Sequence, residues 1–197
     1  MFTRFVIFAI VLVSMIWIQS CGIFETRDAE QPESGAGASF IQPDLPELVI
    51  TNLENAVASM NAVNYMRCIV FESFEFTPSG GAQESNPDLW VNWSAEEEQV
   101  YFNNMRAATQ NLSGHGLQTS NQDRTSLPDG GERISADYSI TVIHNRTGDG
   151  TPTVASGRFV LDMVQGEDGL WSIQSWTDNA AGSSFTWSDF RATFFRD

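Results

Sequence analysis

The sequence contains no lysine, so arginine supplies all of its ten basic side chains against 25 acidic ones, and the formal net charge is −15. Nucleic acids and anionic membrane surfaces bind proteins through clusters of cationic side chains. The composition therefore argues against both classes of partner. The acidic residues are scattered along the chain, which favours a role in solvation over cation binding.

Cysteine and histidine are scarce, with two residues of each. No histidine lies near Cys68 to activate it, so this residue is predicted to be a small buried apolar side chain in a helix. His115 and His144 lack the spacing of paired zinc ligands and are predicted to be surface loop residues. The chain also lacks a phosphate-binding glycine motif and a G-x-S-x-G sequence. We therefore expect no metal and no cofactor.

Long hydrophobic runs are missing except for the 14 uncharged residues from Phe5 to Ile18, which follow the basic start Met1–Arg4. A membrane-spanning helix needs about 20 apolar residues. The run is therefore too short for a span and has the length of a signal-peptide core. Residues 1–20 are predicted to be a signal peptide.

The end of this segment, Ile18-Gln19-Ser20-Cys21, resembles the lipobox of bacterial lipoproteins. The resemblance implies that Cys21 is acylated, with palmitate-type chains, and becomes the first residue after cleavage. Several acyl chains hold a protein at a membrane far better than one. Gly22, in place of aspartate after the cysteine, implies the outer membrane of the cell envelope by analogy. Ordinary signal cleavage and an uncleaved anchor are the alternatives.

Residues 21–47 are rich in glycine, proline, serine and acidic residues and show no periodicity, so they are predicted to be a flexible tether. Residues 48–197 have a globular pattern and a length that fits one domain. Thr51 and Glu54 form a T-x-x-E capping box before apolar residues at helical spacing. This pattern predicts a helix over residues 52–70.

Ser94 and Glu97 form a second capping box, which predicts a helix over residues 95–111. The preceding segment, residues 82–88, is predicted to be a loop. Aromatic residues at helical spacing in residues 185–195 predict a short closing helix.

Between these helices the apolar period changes to two, which predicts strands joined by short turns. In the last strand, Trp171 and Ile173 share one parity and Trp176 has the other. Short connections indicate an antiparallel meander, and the whole pattern an α+β fold. The predicted strands cover residues 114–126, 134–142, 159–163 and 170–178.

Three stretches resemble the NTF2-like superfamily, also called SnoaL-like or cystatin-like cone: "FESFEFTP", "WSAEEEQVYFNNM" and the hairpins around "ASGRFVLDMVQGEDGLWSIQSWTD". The last of these carries a W-x-I-x-x-W-x-D run that ends at Asp178. The resemblance implies a strongly curved antiparallel sheet wrapped around N-terminal helices, with a conical pocket at the open end. The superfamily includes isomerases, dehydratases, cyclases and non-catalytic binding domains, so the resemblance leaves the activity undecided.

An isomerase-type site needs an acid inside the cone and a nearby donor for the developing oxyanion. Asp178 or Asp137 would be the base, and Tyr65 or Tyr138 the donor. However, the strand parity of Asp137 predicts a solvent-facing side chain, as does that of Asp162. Asp178, at a strand end, is more simply explained as a structural cap.

Aromatic residues are abundant, with five tryptophans and eleven phenylalanines left after removal of residues 1–20. Most are expected to fill the core. Aromatic side chains that line an open cone would favour flat or aliphatic ligands. Trp90 and Trp93 are predicted to lie at a rim or an interface, and Trp176 is the third candidate binding residue.

Two functional hypotheses remain open. The first is a non-catalytic, lipid-anchored envelope protein that binds a small apolar ligand or a partner protein. The second is a SnoaL-like isomerase or hydrolase with a pocket carboxylate as general base. Homodimerisation through the open sheet face is compatible with either.

Overall fold

The structure, a computed structural model, describes residues 40–146, 150–182 and 185–196. The predicted signal peptide, Cys21 and most of the predicted tether lie outside these residues. Within them, no helix is long and apolar enough to cross a membrane. Residues 40–47, which the sequence assigns to the tether, pack on the domain. Phe40 lies against the core, and the Pro43 carbonyl accepts a 2.8 Å hydrogen bond from the Trp171 amide.

Five helices and five strands are described, with the long strands in the second half of the chain. They follow in the order α1 (Pro46–Ser59), α2 (Ala62–Met66), β1 (Glu75–Thr77), α3 (Gly80–Ser85), α4 (Ala95–Ala108), β2 (Gly116–Ser126), β3 (Glu132–Thr141), β4 (Val154–Gln165), β5 (Trp171–Ala180) and α5 (Trp187–Phe195).

The sheet has the strand order β1-β5-β4-β3-β2. Each neighbouring pair among β2, β3, β4 and β5 is antiparallel, which confirms the predicted meander. The short β1 adds a parallel strand next to β5, which the sequence pattern did not predict. The fold class is thus α+β, as predicted, with a mixed sheet.

The predicted helix over residues 52–70 is wrong in its bounds. α1 begins at Pro46, whose fixed φ suits the first turn of a helix, and the Thr51 hydroxyl lies inside α1, where it donates to the Glu47 carbonyl. Met60 has a left-handed backbone conformation that ends α1. Asn61 then caps α2, because its side chain accepts the Asn64 amide at 3.0 Å. One predicted helix is therefore two.

The second capping box is confirmed, since the Ser94 amide donates to Glu97 at 2.9 Å and the Ser94 side chain accepts at the start of α4. The helix ends at Ala108, three residues before the predicted end. The predicted loop over residues 82–88 is wrong in its first half, where α3 forms.

A bulge in β5 changes the face on which its later side chains lie. Asp162 pairs with Ser175 and Met163 pairs with Ile173, so Gln174 is an extra residue. Trp176 is therefore buried on the same face as Ile173, contrary to the opposite parity expected from the sequence.

Two sparse residue types also occupy the interior. Cys68 is buried as predicted, but in the turn after α2, and burial raises the pKa of its thiol to about 12. His144 is buried as well, so its prediction as a surface residue is wrong. Its Nδ1 accepts the Arg146 amide and its ring packs edge-on against Phe194.

Candidate functional site

The inner side of the sheet is covered by α1, which packs against β2 and β5, and by α5. Trp187, Phe190 and Phe194 of this helix are fully buried, and α5 packs against α4 and β4. The closing helix therefore fills space in which the family resemblance implied a conical pocket. Two polar clusters of the described interior involve α5, one at its N-terminus and one at Arg191.

The first cluster holds the N-terminus of α5. The Tyr138 hydroxyl donates to Asp178 Oδ1 at 2.7 Å, and the Ser188 amide and hydroxyl both donate to Asp178 Oδ2, at 2.7 and 2.5 Å. The Trp187 amide donates to the Tyr138 oxygen at 2.7 Å. The first amides of a helix have no partner within the helix, so Asp178 and Tyr138 supply the acceptors they need.

Gly157 allows this arrangement. It pairs with Tyr138 across β3 and β4, and a Cβ atom at Gly157 would lie 2.7 Å from the Tyr138 hydroxyl and closer still to the Asn179 carbonyl. The Tyr138 ring stacks on Phe159, with 5.9 Å between the ring centroids. Burial and the Asp178 carboxylate raise the pKa of Tyr138.

Asp178 thus lies inside the domain within hydrogen-bonding reach of a second polar group, which is the geometry that the enzyme hypothesis requires. Both of its oxygens nevertheless accept protein donors, and the residue is only 1% exposed. Asp178 and Tyr138 together therefore cap α5, which is the structural role that the sequence favoured for Asp178.

Asp137 lies on the opposite, outer face of the sheet, as its strand parity predicted. Its carboxylate accepts from Asn121 and from Arg158, at 2.7 and 2.8 Å, and these two donors lower its pKa. Asp162 also lies on this face and pairs with Arg133 through two hydrogen bonds.

The second interior cluster is an ion pair between Glu98 of α4 and Arg191 of α5. The shortest distance, from Arg191 Nη2 to Glu98 Oε1, is 2.7 Å, and both side chains are 0% exposed. The Tyr65 hydroxyl donates to Oε1 at 2.5 Å and the Trp93 indole donates to Oε2 at 2.7 Å. The carboxylate is therefore surrounded by donors.

Four aromatic rings enclose the Arg191 guanidinium. The Cζ atom lies 4.2 Å from the ring centroid of Phe76, 4.4 Å from that of Trp176, 5.3 Å from that of Trp187 and 5.6 Å from that of Tyr101. Burial, the largest influence, lowers the pKa of Arg191, but the Glu98 carboxylate and the neighbouring Tyr65 and Tyr101 together raise the pKa above its usual value. The guanidinium is therefore a fixed cation inside the core.

Burial and the Glu98 carboxylate also raise the pKa of Tyr65 well above its usual value. The predicted oxyanion donor Tyr65 is therefore a neutral hydroxyl, and it is engaged by Glu98.

Sequence reasoning did not single out Glu98 or Arg191, although a signal was present. Glu98 occupies the apolar stripe of α4 at helical spacing from Tyr101 and Met105, and Arg191 follows Phe190 in the stripe of α5. A charged residue inside an apolar stripe indicates a buried partner.

Trp90 and Trp93 do not lie at an exposed rim, so that prediction is wrong. They are 6% and 5% exposed, with their ring centroids 5.0 Å apart, and they pack with Phe76. The Trp90 indole donates to the Ala82 carbonyl at 3.1 Å. Trp176, the third candidate, is fully buried beside Arg191.

The described residues include no group of three or more histidine, cysteine, aspartate or glutamate side chains that could hold a metal ion. Depressions are present on the outside. One of about 530 Å³ lies beside β2, where Thr119 donates to Glu54 at 2.7 Å.

No protein-family profile and no curated protein matches the chain. Solved structures match it by fold. A protein named as a candidate aromatic ring hydroxylase from Novosphingobium aromaticivorans is 16% identical, with a TM-score of 0.54, over 73% of this chain and 92% of its own. One named as a candidate scytalone dehydratase from the same organism is 10% identical, with a TM-score of 0.52, over 68% of this chain and 80% of its own.

An NTF2-like protein of unknown function in nutrient uptake, from Rhodospirillum rubrum, is 11% identical, with a TM-score of 0.50. It aligns over 68% of this chain and 97% of its own length. The chain therefore has an NTF2-like fold, as its sequence resemblance predicted. At these identities the likeness shows the fold alone, because the same fold hosts unrelated functions.

Proposed function

We propose that this protein is a lipid-anchored protein of the bacterial cell envelope, whose NTF2-like domain acts without catalysis by binding a partner protein on its outer surface. The observation that carries the proposal is the position of α5, whose buried side chains fill the inner side of the sheet. Because that space is taken, the outer surface is the part of the domain that can accept a partner.

The polar groups of the interior support a structural role over a catalytic one. A general base must reach the proton that it removes. Asp178 instead accepts from Tyr138 and Ser188, and Tyr65 donates to Glu98. Each of these groups already satisfies another buried group of the same domain.

The open edge of β2 offers a surface for a partner. β2 is 11 residues long and stands at the end of the sheet, where β3 is the only strand among the described residues that pairs with it. Such an edge can accept a further strand through its main-chain groups. The net charge of −15 favours a partner with a basic surface.

Native mass spectrometry on the complete chain, purified in mild detergent from the envelope of its own organism, tests the partner. We expect an additional protein mass that is lost on denaturation. An additional small mass would support an apolar ligand instead, and an empty monomer would contradict both. A doubled mass would identify the partner as a second copy of the chain.

The anchor is tested with two matched cysteine variants. We expect Cys21→Ala to lose the mass of its acyl chains and to keep residues 1–20, because Cys21 is the predicted acylation site and acylation precedes cleavage. Cys68→Ala should be acylated and cleaved like the natural protein. Acyl chains on Cys21→Ala would contradict lipid anchoring through Cys21.

One observation keeps the isomerase or hydrolase hypothesis as a second candidate, namely the 2.7 Å contact between the Tyr138 hydroxyl and the buried Asp178. An Asp178→Asn variant distinguishes the two functions. Loss of a helix cap costs about 0.5–2 kcal/mol of stability. If Asp178 were instead the catalytic base, its replacement would leave the stability of the domain unchanged or increase it. We expect a loss of stability, measured by urea unfolding.

A further inference from the structure

The first half of β2 carries main-chain groups that point away from β3. Directly beyond β3 and β4, the Val142 amide donates to the Thr153 carbonyl, so even-numbered residues of β3 direct their main chain towards β4 and odd-numbered ones towards β2. Leu117 and Thr119 pair with even-numbered residues of β3. Their amides and carbonyls are therefore directed at the open edge, and within the described residues they make no main-chain hydrogen bond outside the sheet.

A bulge divides this edge into two runs. The register of β2 shifts after Ser120, where Asn121 and Gln122 stand opposite a single residue of β3. Asn121 has a left-handed backbone with φ 49°, and its carbonyl accepts a 3.4 Å hydrogen bond from Arg158. An added strand can therefore follow β2 on one side of the bulge or on the other, but not across it.

The charges beside the two runs differ. The second run contains Arg124, whose guanidinium pairs with Glu47 at 2.8 Å and with Glu132 at 3.1 Å. Beside the first run lies Glu54 of α1, which accepts from the Thr119 hydroxyl at 2.7 Å. Within the described residues this neutral hydroxyl is the only hydrogen-bond partner of Glu54. A basic strand is therefore favoured at the first run and repelled by Arg124 at the second.

The depression of about 530 Å³ beside β2 offers space for a side chain of such a strand. It is lined by Glu54, by residues 117–120 of β2 and by residues 137–139 of β3. The other carboxylate of this lining, Asp137, already accepts from Arg158 at 2.8 Å. Strand addition takes affinity from main-chain hydrogen bonds and specificity from pockets for alternate side chains. The carboxylate of Glu54 makes this pocket specific for a cationic side chain.

We propose that the first run of the β2 edge, Gly116–Ser120, accepts an extended basic segment of the partner protein as a further strand, and that an arginine or lysine of this segment enters the depression and pairs with Glu54. The inference rests on the proposed function, because it names the part of the outer surface that binds the partner and the kind of segment that is bound.

The probe for the test is a library of random heptapeptides displayed on phage and selected on the complete chain in mild detergent. We expect selected peptides to combine strand-forming residues with an arginine or lysine at one position. The best peptide is synthesised, and its affinity is measured by fluorescence anisotropy. Glu54→Gln should weaken its binding about tenfold or more, but should leave unchanged the binding of an analogue with norleucine in place of the basic residue.

Two matched proline variants locate the bound peptide on the edge. Proline has no amide hydrogen, so Thr119→Pro removes a donor of the first run without removing a hydrogen bond to β3. Ser126 also pairs with an even-numbered residue of β3, so Ser126→Pro makes the same change in the second run. We expect Thr119→Pro to abolish binding, and Ser126→Pro to retain it. Thr119→Val, which keeps the amide and loses the hydroxyl, should also bind the peptide.

A second measurement leaves the protein unchanged, in case Thr119→Pro does not fold. Methyl groups are placed on alternate amides of the peptide, first on one set and then on the other. Only one set faces β2 in an added strand, so we expect one methylated peptide to bind and the other to fail.

Equal binding by both methylated peptides, binding that is independent of Glu54, or a selection that yields no basic peptide would overturn the inference. These results are independent of the partner mass sought by native mass spectrometry. A partner found there together with a negative peptide result would leave the proposed function standing and exclude this edge as its binding site.

Discussion

Two arginine–carboxylate pairs in this domain have similar geometry and opposite surroundings. Arg191 and Glu98, between α5 and α4, approach to 2.7 Å with both side chains 0% exposed. Arg133 and Asp162, on the outer face of β3 and β4, approach to 2.6 Å with 49% and 24% of their side chains exposed. Both arginines make two hydrogen bonds or more to their carboxylate.

The comparison shows that distance alone says little about the energetic role of an ion pair. Water screens and solvates the outer pair, so its net contribution is small. The inner pair has lost its water, so each charge depends on the other and on the donors around Glu98, namely Tyr65 and Trp93. The inner face of the sheet should therefore be sensitive to change and the outer face tolerant.

Alkaline pH should destabilise the inner region more than any of the substitutions described below. All three tyrosines, Tyr65, Tyr101 and Tyr138, are buried there and have raised pKa values. Their contribution to stability is therefore complete below the unfolded pKa of about 10 and is lost as the pH rises above it. Each tyrosine lowers the free energy of unfolding by up to about 1.4 kcal/mol for each pH unit above its unfolded pKa.

The measurement is tyrosinate absorbance together with circular dichroism from pH 8 to 12. Because the chain has no lysine, few other groups titrate in this range. We expect tyrosinate to form only as the domain unfolds. Formation of tyrosinate in a folded domain below pH 10 would show that the interior is open to solvent.

Glu98→Gln should have the second largest effect, because it leaves the Arg191 charge buried without a partner. Breaking a buried pair in this way costs about 3–5 kcal/mol. The double variant Glu98→Gln/Arg191→Met removes both charges and should recover much of this loss. Urea unfolding of the three proteins measures the free energies, and equal stability of Glu98→Gln and the natural protein would contradict the comparison.

Gly157→Ala should cost about 1–3 kcal/mol, the range for forcing extra atoms into a packed interior. The new methyl group would meet the Tyr138 hydroxyl and the Asn179 carbonyl. Gly116→Ala is the matched control, since Gly116 also lies in a strand but has no atom near the position of a new Cβ. Thermal unfolding of both variants should show a lower midpoint for Gly157→Ala alone.

Arg133→Gln should have the smallest effect, because an exposed pair contributes about 0–1 kcal/mol and is screened by salt. We expect its unfolding midpoint to stay close to that of the natural protein, and the small difference to shrink further at high salt. A loss as large as that of Glu98→Gln would show that the outer face is also essential to stability.

Local patterns predicted much of the secondary structure. The alternation in the sequence predicted β3 correctly, because buried residues recur at every second position along this strand. The capping box at Ser94 and Glu97 formed because its two partners lie within one turn. The break at Met60 was missed, because a helical apolar pattern continues through the residue that ends α1.

The candidate site was harder to predict from the sequence, and the bulge at Gln174 explains part of this. One extra residue in β5 moves Trp176 and Asp178 to the inner face, and the parity of a strand gives no sign of it. The outer position of Asp137 was predicted because β3 has no such interruption.

The sequence by itself determined the α+β class, the meander and the closing helix, because each depends on residues that are neighbours along the chain. Only the tertiary structure decided that α5 fills the inner side of the sheet and that Arg191 meets Glu98, 93 residues away. A buried charge is stable only when distant elements remove its water and replace it with a partner in the same place. That condition is a property of the packed domain and not of any single segment.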